Sequence, residues 1–250
     1  MPTWASQLVA NNARISIDQL RKYWPGKIAD VVTGFNKQRQ AANKKQRLGF
    51  GASQEEQQVA RNAIHEETQA FKKSAHEELD KVAAGVAQDR QFVERGISAS
   101  FVTYPEPPKD STEALLRDAK EQRAWTKVKD VLASSPNDHP NVIRTATQRA
   151  LAENDHHTIA AINSELPHFA RDDADKPLLV SAFEETVASA RPEARQALET
   201  RKELEPGLYQ LNMAISYARD AIDGEKSSVI LPGWEKGKTE TLSFEAGGSQ

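Results

Sequence analysis

Cysteine is absent from the 250 residues, which excludes disulfides, thiolate metal sites and a cysteine nucleophile and fits a reducing compartment. Aromatics make up only 6%, and apolar residues 38%, below the roughly 45–50% of ordinary globular domains. No run approaches about 18 consecutive apolar residues, so no membrane-spanning helix is expected. The opening Met1-Pro2-Thr3-Trp4 has no basic stretch followed by an apolar one, so no secretory signal is expected. Also missing are a GxxxxGKS/T phosphate loop, a GxGxxG turn and a GxSxG nucleophile elbow. With 28% charged residues, the chain reads as water-soluble with much surface for its core.

The six histidines and the acidic clusters are where chemistry would show first. His65-Glu66 and His76-Glu77 begin zinc-protease patterns, but the fifth positions are Gln69 and Asp80, so neither puts two histidines on one helical face. Asp172-Asp173-Asp175 lacks the glycine and the distal glutamate of an EF-hand and instead suits a helix N-terminus. His156 and His157 are adjacent and point apart on a helix. No metal, cofactor, catalytic residue or small-molecule substrate is therefore expected.

What the chain does have is uneven charge. The net charge of −3 divides into nine Lys/Arg against two Asp/Glu over residues 1–53 (+7), −2 over 54–150 and −8 over 151–250. No acidic residue lies between Asp30 and Glu55, where Lys37, Arg39, Lys44, Lys45 and Arg47 crowd together. Such a run suits a polyanion or an acidic protein face. No aromatic alternates with these cations to stack on bases, so nucleic acid is the lesser expectation.

Helix signals dominate the rest, and the fold class expected is all-α: an elongated multi-helix protein. Ser16-Ile17-Asp18-Gln19 has capping-box spacing and starts a short helix that should stop near Pro25. Residues 36–53 read as a basic arm or linker, the end of an N-terminal region 1–53. Ser53 caps a long helix to about Arg95, stopped by Gly96 and weakest at Gly85. Its apolar residues recur every eleven positions (Ala60, Phe71, Val82, Val93), giving a nearly straight stripe, and its length suggests that it protrudes or meets a partner.

Residues 97–110, β-prone then proline-rich, read as a linker and the main domain boundary. A helical domain over 111–224 should follow. Asp110 with Glu113 makes a second capping box, and Leu115, Ala119, Trp125, Val128 and Leu132 keep helical spacing. Pro140 and Asp155 start two short helices, the second ended by Pro167; Pro177 opens another, and Pro192 and Pro206 punctuate the last two. Leu208, Leu211, Ile215, Ala218 and Ile222 form the cleanest stripe, closed by Gly224.

Residues 225–250 form a C-terminal arm of different character. Ile230, Leu231, Trp234, Leu242 and Phe244 carry more apolar surface than a disordered tail, and are expected to bind a partner groove in extended form. In composition and layout, though in no motif, the chain resembles virion and phage-assembly components. The function expected is a non-catalytic structural or assembly protein, in the cytoplasm or in a virion assembled there. Its partners would be protein subunits, including copies of itself. The alternatives are a nucleic-acid-associated protein using residues 27–47, and an enzyme with an unrecognised carboxylate site.

Overall fold

The computed structural model describes residues 12–45, 53–102, 104, 108–169, 176–224, 228–231 and 240–243. Its architecture is all-α. A helical segment over 12–18 passes through a π-helical turn, Gln19–Tyr23, into α1 (Trp24–Lys45). There follow α2 (Gln54–Phe101), α3 (Ser111–Ser134), α4 (His139–Ala152), α5 (His156–Phe169), α6 (Lys176–Ala190) and α7 (Pro192–Asp223). Strands β1 (Ser228–Leu231) and β2 (Glu240–Ser243) pair antiparallel, with Val229 opposite Leu242. The described residues of the expected C-terminal arm are thus extended and pair with each other.

Local chemistry starts and ends several of these helices as the sequence predicts, but not the first: Ser16 lies inside the 12–18 helical segment, where its hydroxyl donates to Asp89 and forms no capping box with Gln19. At the head of α2 the Ser53 hydroxyl accepts from the Glu56 N–H (3.3 Å) while the Glu56 carboxylate accepts from the Ser53 N–H (2.8 Å). These two bonds, the backbone one first, lower the Glu56 pKa. Asp110 caps α3 by accepting from the Glu113 N–H at 2.8 Å. Gly224 closes α7 at φ +88°, a conformation that a side chain would oppose.

Five expected helix boundaries are overridden. Pro25 does not end the N-terminal helix: the wider π turn just before it relieves the clash between the proline ring and the preceding turn. The expected arm from residue 36 is helical as far as Lys45, because Ile28, Val32, Phe35 and Ala42 bury one face at alternating threes, fours and sevens. Gly96 does not end α2, since Ile97 and Phe101 beyond it are buried and Phe101 meets Phe183 at 6.0 Å between ring centroids. Pro206 lies inside α7, where it and Lys202, whose carbonyl it leaves unbonded, are exposed to water. Buried Leu204, Leu208 and Leu211 hold the helix on both sides of it. Pro167 likewise lies inside α5, two residues before its end.

The chain divides into two compact units. One comprises Phe92–Glu203 with residues 1–14, and the other Ile15–Gln91 with Leu204–Gln250. In the first, α4 packs chiefly on α6 and α3 chiefly on α5. Leu132, Ile143, Ile159, Ile162, Leu179 and Val187 are its buried centre. Arg201 of α7 holds both carboxylate oxygens of Glu184 on α6 at 2.7 Å and reaches Glu94 on α2 at 3.3 Å. Leu115, which keeps the helical spacing of Val128 and Leu132, is nevertheless 69% exposed.

In the second unit, α2 is tied on two faces. Arg219 pairs with Asp80 at 2.6 Å, and Asp223 meets His76 at 3.1 Å. On the opposite face Gly85 and Asp89 receive the N-terminal helix: the two sets lie about nine residues, or half a rotation, apart. The stripe Leu211, Ile215, Ala218 and Ile222 is buried, as its spacing predicts. From Gln54 to Ser74, by contrast, no residue of α2 is buried.

Candidate functional site

Of the expected partner-binding cations, Lys37, Arg39 and Lys44 stand on α1. Lys37 and Lys44 are exposed one heptad apart, hence on one face, and the Arg39 guanidinium lies over the Phe35 ring at 5.8 Å. Lys45 is the last residue of α1; Arg47 falls outside the described residues. In the C-terminal segment, Ile230 and Leu231 belong to β1 and Leu242 to β2, while Trp234 and Phe244 lie outside the described residues. Lys37 and Lys44 therefore share one helical face, whereas Arg39, two residues from Lys37, lies on the Phe35 side of α1; the apolar set has no described side-chain geometry.

A second, unanticipated cationic surface lies within the first unit. A groove of about 750 Å³ runs between α3 and α4 and reaches the start of α5. Lys120, Arg123 and Lys127 line its α3 side. Spaced i, i+3 and i+7, they fall within a 60° arc and span about 10.5 Å of helix. Ala124, Val128, Ala146 and Ala150 give it an apolar floor. Three acids also border it, and each is already engaged. Glu153 pairs with Arg149 at 2.8 Å, and Asp138 accepts from the Asn141 amide at 2.6 Å. Asp155 caps α5, accepting from the His157 and Thr158 N–H groups (3.1 Å each) and from the Thr158 hydroxyl (2.6 Å). Lys120, Arg123 and Lys127 make no hydrogen bond or ion pair among the described residues, and all three are exposed. Only Glu153 is ion-paired, so the lining carries four cations against three carboxylates, a net charge of +1, with its unpaired cations gathered on the α3 side.

At the α5 end, where His157 lines the groove, a set of aromatic and titratable groups lies beside it. The Tyr104 hydroxyl bonds the Glu121 carboxylate, lies 3.3 Å from His157 Nδ1, and its ring is covered by the Arg117 guanidinium at 4.1 Å. Burial first, then the hydrogen bond to Glu121, raises the Tyr104 pKa far above its usual range, so the phenol stays protonated. Burial, and next Lys120, lower that of His157 against the pull of Asp155 and Glu121. The Asp155 carboxyl is pushed up by burial, but its bonds from Thr158 and His157 outweigh this and lower it. Tyr104, Glu121, Arg117 and His157 are mutually satisfied, an arrangement that fixes α5 against α3.

The sequence carried a readable signal for the groove, three cations on one face of an amphipathic helix. What it did not carry was α4 as the opposite wall. Among the described residues, no cluster of three or more His, Asp or Glu has the arrangement to hold a metal ion. No described helix is long and apolar enough to cross a membrane. No family model matches the chain, and neither a curated protein nor a solved structure was found similar to it.

Proposed function

We propose that this chain is a non-catalytic helical assembly protein that binds neighbouring protein subunits through charged surfaces and its C-terminal apolar segment, in the cytoplasm or in a virion assembled there. The observation that carries the reading is the form of the basic region. Two of its cations, Lys37 and Lys44, sit on a helix whose opposite face is buried, so they are presented at a fixed spacing and not on a loose tether. A pair of cations held at a fixed spacing, in a chain whose last hundred residues carry −8, favours docking of oppositely charged subunits and fixes their register. Side chains of charged type in the interior serve packing: Asp89, Glu184 and Arg201 each connect two or more helices.

Light scattering by the full chain tests this. At low salt the scattering mass should exceed the 27.7 kDa of one chain. It should fall toward that value at high salt, and in a variant with Lys37, Arg39, Lys44, Lys45 and Arg47 all replaced by glutamine. A monomer under every condition overturns self-assembly. Nucleic acid is the rival outcome. If all five cations contact duplex phosphates, the variant's log–log salt slope for duplex binding should shrink by roughly 4–5.

A further inference from the structure

We infer that the α3–α4 groove is a docking site for an acidic amphipathic helix of a partner protein. The argument is one of charge and shape. The groove offers an apolar floor, Ala124, Val128, Ala146 and Ala150, beneath a row of three cations. Those cations lack partners among the described residues, whereas Glu153, Asp138 and Asp155 beside them are engaged. An occupant that satisfies both parts must bring apolar side chains on one edge and carboxylates on the next.

A helix does this at the required pitch. Carboxylates at i, i+3 and i+7 repeat over the same ~10.5 Å as Lys120, Arg123 and Lys127, and leucines one position away reach the floor. The flanking residues fit the same occupant: Leu116, one turn before Lys120 on the same face of α3, is 55% exposed, and Val131, one turn after Lys127, is 51% exposed. They extend the apolar surface at both ends of the cationic row. A compact anion would satisfy the lysines and leave this apolar length uncovered. The inference goes beyond the assembly reading and does not rest on it, because the groove can bind such a helix whether or not the chain self-assembles.

The test uses the full chain and three fluorescent amphipathic peptides of one length: leucine–glutamate, its twin with every glutamate replaced by glutamine, and its twin with lysine. Binding is followed by anisotropy. The glutamate peptide should bind about tenfold tighter than the glutamine twin, three rim ion pairs together supplying that factor. The variant Lys120→Gln/Arg123→Gln/Lys127→Gln should lose the difference, with an unchanged urea midpoint because the three side chains are exposed. The charge reversal Lys120→Glu/Lys127→Glu should turn the preference toward the lysine peptide. Equal binding of the glutamate and glutamine peptides, or an unaltered preference after reversal, overturns the proposal. Two other results also overturn it: RNA or inorganic polyphosphate displacing the glutamate peptide and losing affinity with the same triple variant, or the triple variant alone abolishing self-association.

Discussion

The Trp24 indole occupies the space that a side chain at Gly85 would need. A Cβ built on Gly85 would overlap Cη2 and Cζ2 of that ring. The same indole donates its N–H to Asp89, one turn further along α2, at 2.6 Å. Asp89 also accepts from the buried Ser16 hydroxyl at 2.8 Å and, with its amide nitrogen turned inward, from Gln19. One glycine and one carboxylate thus receive the N-terminal helix where it takes its π-helical turn.

Gly85→Ala should destabilise the protein by about 1–3 kcal/mol, although alanine is worth about 1 kcal/mol more than glycine in a helix. Gly34→Ala supplies the comparison, since nothing lies within 4 Å of its would-be Cβ. There the propensity gain should appear unopposed. Urea midpoints that shift the same way in both variants would show that the ring yields freely.

Asp89→Ala should cost about 2–4 kcal/mol, because it strands buried donors of Ser16 and Trp24. Trp24→Phe removes one of those donors and should cost less. A double-mutant cycle between the two positions should give a coupling of about 1 kcal/mol or more. Additivity within error would mean that the indole N–H is better bonded to water.

Acid should weaken the fold in two separable steps around α5. His157 has a lowered folded pKa, so the unfolded chain takes up its proton first and stability falls as pH drops below about 6.5. Asp155 is also lowered, so its contribution is present above the unfolded value and is lost as pH falls through the folded one, in the range below about 4. Thermal melts across pH should show His157→Gln removing the upper step and Asp155→Asn the lower. Asp155→Ala should in addition lose the cap at neutral pH, about 1 kcal/mol. Identical pH profiles for all three variants would count against these assignments.

Leu211→Ala should cost roughly 2–5 kcal/mol, as Leu211 is fully buried in the α7 stripe. Leu115→Ala should stay within about 0.5 kcal/mol, the side chain being exposed despite its helical spacing. Denaturant titration of both checks the face assignment of two helices at once.

Deleting residues 226–250 asks what the C-terminal segment does. Loss of assembly with an unchanged monomer melting temperature is expected if its apolar residues serve a partner. A lowered monomer melting temperature would show instead that they pack on this chain.

Helix class, most helix starts and the α7 core stripe were determined by the sequence alone. Ser53 with Glu56, Asp110 with Glu113, Asp155 with Thr158, and the closing Gly224 act within four residues, so spacing suffices to specify them. Tertiary structure decided what happens where a local preference meets a buried face. Pro25, Gly96 and Pro206 were legible as stops and do not act as stops, because the burial of Ile28, Phe101 and Leu208 beyond them outweighs a cost confined to one turn. The same is true of function-bearing surfaces. The row Lys120, Arg123 and Lys127 can be read along one helix, but it becomes the wall of a groove only because α4 lies beside it. The pocket for Trp24 at Gly85 and Asp89 joins positions more than sixty residues apart. Such contacts depend on which helices become neighbours, a choice made by the summed burial of whole faces and not by any residue's own spacing.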